Sequence, residues 1–86
     1  MLFRSFQVVE TRIESAELRS GIVWLELGSG AAARLDRPAR HLFETAGLDP
    51  LSLTGQNLRL RGWIRWQGRP VVDLAYPEAV ETIRLP

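Results

Sequence analysis

The chain contains no cysteine and no lysine, and it has a single histidine. The absence of cysteine excludes disulfides, thiolate metal sites and cysteine nucleophiles. No apolar run approaches the ~18 residues that a membrane-spanning helix requires, so we expect no contact with a membrane. The opening residues, MLFRSFQVVE, lack a basic region followed by an apolar segment, and we do not expect them to act as a signal peptide.

Length and composition indicate one soluble domain over residues 1–86. Hydrophobic residues make up 45% of the chain and charged residues 24%, which is typical of a globular protein. A domain without cysteine is compatible with both the cytoplasm and the periplasm, and the sequence does not choose between them.

All eleven basic residues are arginine, and their distribution is uneven. Residues 1–50 carry six Arg against seven Asp or Glu, whereas residues 51–86 carry five Arg against three acids. The segment Asn57–Arg69 holds four of these arginines and no acid. The charge is therefore mildly polarised toward the second half, although a net charge of +1 does not by itself predict a polyanionic partner.

Alternation of apolar and polar residues predicts five strands. The first three are expected at Phe6–Glu17, Ile22–Leu27 and Ala31–Leu35, with the turn residues LRSG and GSG between them. A last hairpin is expected over residues 57–76, with Val71–Tyr76 as its return strand. The segment Glu78–Leu85 fits either a short helical turn or a final extended piece.

One helix is expected over residues 37–46. Asp36 can accept hydrogen bonds from the first amides of this helix, and Pro38 suits its first turn. Gly47 ends it, with Leu48 placed to fold back on the last turn. Its apolar residues recur at helical spacing and predict one buried stripe: Ala39, Leu42, Phe43 and Ala46.

Three strands, one helix and two strands, in that order, predict a mainly β fold with one α-helix. The order lacks the strand–helix alternation of a parallel α/β sheet. An SH3-like barrel would lack the helix, and a ferredoxin-like fold would need two helices. The pattern matches a five-stranded OB-fold Greek-key barrel with the order β1-β2-β3-α-β4-β5.

The register of the last hairpin follows from which residues must be buried. A two-residue Gln67-Gly68 loop would place Asp73 on the core face, which costs several kcal/mol. We therefore predict a three-residue loop, Trp66-Gln67-Gly68, with Gly68 in the left-handed region. This register brings Asp73 near Arg61. The core face would then carry Leu58, Leu60, Gly62, Ile64, Val72, Leu74 and Tyr76, and the outer face Arg59, Arg61, Trp63, Arg65, Val71, Asp73 and Ala75.

The segment AGLDPLSLTGQNLRLRGWIRWQGRPVVDLAYPEAVETI resembles the C-terminal OB-type domain of bacterial thermonuclease-family (micrococcal-nuclease-like) proteins. The matching positions are Ala46–Pro50, Gly55, Arg59, Arg61–Ile64, Pro70, Asp73, Pro77, Glu78 and Glu81. The first half of the chain matches only in plan. It has Glu26-Leu27-Gly28 where the family often has an aromatic-Asn-Phe-Gly. The resemblance implies an accessory domain and not a nuclease, because the family keeps its catalytic residues outside this domain.

The residues themselves also argue against an enzyme. The acids are scattered, and no calcium loop, HExxH helix or nucleophile elbow is present. His41, beside Arg40 on the predicted helix, is expected to be a surface residue. We therefore predict no catalytic residue, no metal and no cofactor.

Three interpretations remain open for the outward aromatic and basic residues. OB-folds bind single strands on the β2–β3 face and in neighbouring loops, which makes Trp24, Trp66 and Arg69 candidate contacts. The β4 arginines Arg59, Arg61 and Arg65 could instead pair with Glu10 and Glu14 on β1, which would neutralise them. Trp63 could belong to an interface with another domain or a second copy. The candidate binding residues are Trp24, Arg59, Arg61, Trp63, Trp66 and Arg69, in a non-enzymatic interaction module or, alternatively, a weak single-stranded nucleic-acid binder.

Overall fold

The computed structural model describes residues 5–83 as six strands, one α-helix and two 3₁₀ helices. The strands are β1 (Ser5–Arg19), β2 (Ile22–Leu27), β3 (Ala32–Leu35), β4 (Asn57–Trp66), β5 (Pro70–Asp73) and β6 (Val80–Thr82). Helix α1 spans Arg37–Thr45, and the 3₁₀ helices are Pro50–Ser52 and Pro77–Ala79. No helix in the described part of the chain is long and apolar enough to cross a membrane.

The strands close into a five-stranded barrel of the OB-fold type, which confirms the predicted fold class. The sheet order is β1-β2-β3-β5-β4, and β1 pairs with β4 to complete the circle. β3 and β5 are parallel, while the other pairs are antiparallel. β6 adds to β4 at Leu58–Leu60, on the edge that β5 uses further along.

Strand β1 changes partner halfway along its length. Ser5–Arg12 pairs with β4, and Ile13–Arg19 pairs with β2. The β2 register shifts between Ile13 and Ser15, as at a β-bulge. A bulge increases the local bend and twist of a strand, so one continuous strand can serve both sides of the barrel.

The barrel interior is filled by apolar side chains from every barrel strand and from α1. Its largest fully buried members are Phe43, Ile13, Leu25, Leu35, Leu58, Leu60, Leu74, Val23 and Val72. Only Ala39 and Phe43 of the predicted helical stripe are buried. Leu42 is 47% exposed and Ala46 is exposed, so the predicted four-residue stripe is wrong. The nine-residue helix presents only a narrow face to the barrel.

The ends of α1 follow their sequence signals. The Asp36 side chain accepts a hydrogen bond from the Ala39 amide at 3.0 Å, and Pro38 lies in the first turn. After the helix, Gly47 takes a φ of +79°, and the Leu48 amide donates to the Phe43 carbonyl at 2.9 Å. This is the Schellman arrangement that favours glycine after a helix.

The β4–β5 hairpin has a three-residue loop as predicted, but the loop is Gln67-Gly68-Arg69. Trp66 pairs with Pro70, and Trp63 lies opposite Asp73. The predicted partner of Asp73, Arg61, is therefore wrong by two positions, although the arginines still face outward. Gly68 has a φ of +73° and lies at the centre of the loop, not at its end.

The return strand of the hairpin ends earlier than the sequence predicts. β5 ends at Asp73, so Tyr76 lies outside the core and is 48% exposed. Val71 keeps its predicted place on the outer face, where it pairs with Arg65 of β4, and it is buried there beside Ala32 of β3. Both alternatives for the last segment occur in succession, as the turn Pro77–Ala79 and then β6. Residues 84 and 85 of that predicted segment lie outside the described residues.

Gly62 allows β5 to cross close to β4 inside the barrel. A Cβ atom at this position would lie 2.5 Å from the Asp73 carbonyl oxygen and 2.9 Å from Cγ1 of Val72. Both neighbours belong to a buried strand, so neither can move away cheaply.

We expect Gly62→Ala to lower the free energy of unfolding by about 1–3 kcal/mol, through overpacking. Urea denaturation of the purified chain measures this loss. Gly28→Ala is the matched control, because its added Cβ would approach the end of the flexible Glu14 side chain at 3.2 Å and its other neighbours only at 3.7 Å or more. Equal stability of the two variants would contradict the prediction.

Candidate interaction surface

The outer face of β2 and β3 is where OB-folds hold single strands. β2 alternates with Val23, Leu25 and Leu27 buried, which leaves Trp24 and Glu26 on the outer side. Trp24 lies opposite Arg34 of β3. This face, which we call the β2–β3 face, therefore offers the aromatic residue that the sequence predicts.

Two arginines cover the Trp24 ring. The guanidinium carbon of Arg19 lies 5.6 Å from the ring centroid, and that of Arg34 lies 5.8 Å from it. Both distances are within the range of cation–π contacts. A base that stacked on Trp24 would have to displace these groups.

Arg69 reaches from the hairpin loop to the β2–β3 face and binds Glu26. Nη1 and Nη2 donate to the two carboxylate oxygens at 2.5 and 2.6 Å, a bidentate pair. The hydrogen bond from Arg69 lowers the pKa of Glu26 below its ordinary value, against the effect of partial burial. It raises the pKa of Arg69 in turn. The predicted phosphate contact is thus engaged within the domain.

Asp73 holds two further arginines at the boundary of the same face. Arg34 donates to its carboxylate at 3.4 Å, and Arg65 approaches it from β4 at 3.1 Å. These three side chains are all less than a third exposed. The two-residue shift of the hairpin explains why Arg65, and not Arg61, is the β4 partner of Asp73.

The β4 arginines Arg59, Arg61 and Arg65 form an outward row, which we call the arginine row. Arg59 donates to Glu10 of β1 at 2.7 and 2.9 Å. It also donates to Glu81 of β6 at 3.2 Å, and Arg61 donates to Glu81 at 3.0 Å. Within residues 5–83 every member of the row therefore has a carboxylate partner.

The predicted partner set of this row was half right. Glu10 pairs with Arg59, but Glu14 lies beyond the point where β1 leaves β4, and its carboxylate lies beside Gly28. Glu81 takes its place, because β6 runs alongside β4. Hydrogen bonding from Arg61, followed by the charge of Arg59, lowers the pKa of Glu81. The hydrogen bonds to Glu10 and the negative charge of Glu10 raise the pKa of Arg59.

An apolar patch formed by Phe6, Val8 and Trp63 lies next to the arginine row on the outer face of β1 and β4. Phe6 is directly opposite Trp63, with ring centroids 5.7 Å apart and ring planes at 77°. Val8 follows Phe6 on the same face and lies opposite Arg61. The three side chains are 49%, 53% and 48% exposed, in the order Phe6, Val8 and Trp63.

The sequence prediction missed Phe6 and Val8 in this patch. Alternation extended back from Glu10 and Arg12 would have placed both side chains on the outer face. Trp66, the other predicted aromatic contact, is 68% exposed at the end of β4. It is three residues from Trp63, so the two indoles lie on opposite sides of the strand.

The described residues contain no group of three or more His, Cys, Asp or Glu side chains that could hold a metal ion. His41 is exposed on α1, as predicted. A small cavity of about 200 Å³ lies between α1 and β6 and is lined by Phe43, Leu48, Leu53 and Val80, among others.

Comparison of the chain with protein-family models, curated proteins and solved structures finds no significant match. The resemblance to the thermonuclease-type C-terminal domain therefore stays a prediction.

The lowered pKa values of Glu26 and Glu81 predict that acid destabilises the fold. A carboxyl with a lower pKa in the folded state contributes stability above its unfolded pKa of about 4.3. That contribution is lost as the pH falls through the folded value. We expect Glu26→Gln to be less stable than the wild type at pH 7, with a smaller difference near pH 3.

Urea denaturation at both pH values measures these differences. Glu78→Gln is the control, because Glu78 is exposed and makes no ion pair within residues 5–83. A Glu26→Gln deficit that is equal at the two pH values would contradict the assigned role of the Arg69 contact.

Proposed function

We propose that this chain is a non-enzymatic OB-fold accessory domain that acts as a protein-interaction module. The apolar patch of Phe6, Val8 and Trp63 is its docking surface. Large apolar side chains about half exposed and grouped on one face are typical of interaction sites, and this grouping is the observation that carries the proposal. Aromatic residues are also enriched at such interfaces.

The distribution of charge supports a protein partner over a nucleic acid. Binding to a phosphate backbone relies on basic groups that can neutralise it. The guanidinium groups of Arg59, Arg61, Arg65 and Arg69 already bind carboxylates of the domain. A polyanion would have to compete with Glu10, Glu26, Asp73 and Glu81 for them.

The alternative, weak binding of single-stranded nucleic acid, retains one favourable observation. Trp66 is the most exposed large hydrophobic residue of the described chain, and an exposed indole can stack on a base. We place this function second, because Arg69, three residues away, is held by Glu26.

Photo-crosslinking tests the docking surface. We expect p-benzoylphenylalanine at Phe6 or Trp63, in the native host, to yield discrete crosslinked bands, because both side chains would face a bound protein. The same probe at Leu42 is the matched control, since Leu42 is 47% exposed and lies on α1, outside the β1–β4 face that carries the patch. Bands of equal intensity at all three positions, or none at the patch, would refute the proposal.

A titration separates the two functions. We expect labelled oligonucleotides to show no saturable binding in low salt up to about 50 μM protein, a concentration within the usual range of non-specific dissociation constants, about 1–100 μM. The double variant Glu10→Gln/Glu81→Gln releases Arg59 and Arg61 and should gain salt-sensitive binding. Wild-type binding that quenches Trp66 fluorescence would instead favour the nucleic-acid function.

A further inference from the structure

The N-terminal half of β1 has an open edge. Within residues 5–83, Ser5–Arg12 pairs with β4 on one side, and the β2 pairing on the other side begins only at Ile13. The opposite edge of residues 6–10 therefore has no strand beside it in the described structure. A strand edge of this kind is a template for pairing with another strand.

The direction of the backbone groups can be read from the bulge. Ile13 donates to the Gln56 carbonyl at 2.9 Å and accepts from the Gly55 amide at 2.7 Å, both on the β4 side. The Arg12 carbonyl accepts from Gly28 at 3.1 Å, on the β2 side. Because these directions alternate along a strand, the even-numbered residues Phe6, Val8 and Glu10 turn their N–H and C=O groups toward the open edge.

The open edge and the apolar patch share residues. Phe6 and Val8 have their side chains on the outer face and their backbone groups at the edge. Proteins usually protect such edges with charged residues, proline or bulges. The run from Ser5 to Val9 contains no charge and no proline. Glu10, at the end of the edge, is held by Arg59, and the bulge follows only after Ile13.

We infer that this edge pairs antiparallel with the same edge of a second copy of the chain, with Phe6 of one copy opposite Val8 of the other. The inference rests on the proposed function and names its partner. It belongs to the β-augmentation mode of recognition, in which backbone hydrogen bonds supply affinity and alternate side chains supply specificity.

Self-complementarity favours a second copy as the occupant. In this register both hydrogen-bonded pairs join an aromatic to a β-branched residue, a favourable cross-strand combination. Gln7 faces Gln7 at the two-fold axis, and no like charges oppose each other between Ser5 and Val9. The neighbouring register would put Phe6 opposite Glu10, which is held by Arg59. A net charge of +1 gives little repulsion between copies.

Sedimentation velocity over a range of about 5–500 μM protein tests the pairing, at the weak affinities expected of a short interface. We expect the wild-type mass to rise toward twice the monomer value. Val8→Pro removes an N–H from the open edge while leaving the β4 ladder intact, and should weaken association at least about tenfold. Val8→Thr keeps that N–H and should associate like the wild type within a few-fold.

A charge pair tests the register without proline. Phe6→Lys and Val8→Glu should each weaken association, because each buries one charge against an apolar residue. Combined in one chain, they place opposite charges across both pairs, and association should be at least about tenfold tighter than in either single variant. A double variant no tighter than the single variants overturns the inference.

Hydrogen exchange gives a readout that needs no variant. In dilute protein the amides of Phe6 and Val8 should exchange fast, while those of Gln7 and Val9 are protected by β4. At high concentration Phe6 and Val8 should become protected at least about tenfold. Unchanged exchange, or a wild type that stays monomeric, overturns the inference. If the patch then crosslinks to a different protein, the proposed function survives; if it yields no crosslink, both fail.

Discussion

The change of partner within β1 is the constraint on which the rest of the structure depends. A single strand that pairs with β4 before the bulge and with β2 after it joins the two halves of the sheet. Without the bend between Ile13 and Ser15 the strand could serve only one neighbour, and the sheet would stay open. Closure removes strand edges around the barrel, but the switch also leaves residues 6–10 of β1 with no strand on one side within the described residues. The closure of the barrel and the open edge of β1 thus have the same cause.

Arginine side chains link separate strands within the domain. The chain has no lysine, and the guanidinium groups of Arg59, Arg61 and Arg69 form bidentate or shared contacts with carboxylates from other strands. Arginine suits this role because its planar fork matches a carboxylate. Glu81 joins β6 to β4 in this way, and Glu26 joins β2 to the hairpin loop. A pattern that suggests a nucleic-acid groove in the sequence is, in the folded chain, a set of links between strands.

Local signals predicted the parts of the fold that depend on neighbouring residues. The bounds of β2, the Asp36 cap and the Gly47 end of α1 all follow from chemistry within a few residues. The pairing of Arg59 with Glu10 could also be predicted, because it needs only the order of strands in the barrel and the alternation along each.

The remainder depends on contacts that sequence spacing does not specify. The local sequence allows a three-residue loop with glycine at either Trp66–Gly68 or Gln67–Arg69. The folded chain has the second loop, in which Trp66 pairs with Pro70. The spacing of apolar residues on α1 did not indicate that the barrel would bury only Ala39 and Phe43. The partners of Arg61 and Arg69 come from β6 and β2, which lie far away in the chain. Phe6 and Val8 were predictable from alternation, but apolar residues on an outer face run against the usual pattern.

The long separation of paired residues has a consequence for how the domain forms. Arg59 and Glu10 are 49 residues apart, and Arg34 and Asp73 are 39 residues apart. Contacts between such distant residues close large loops, and domains that rely on them fold slowly, often in milliseconds to seconds. During synthesis, β1, β2 and β3 can form a meander early, but the barrel must wait until Asp73, the last residue of β5, has emerged from the ribosome.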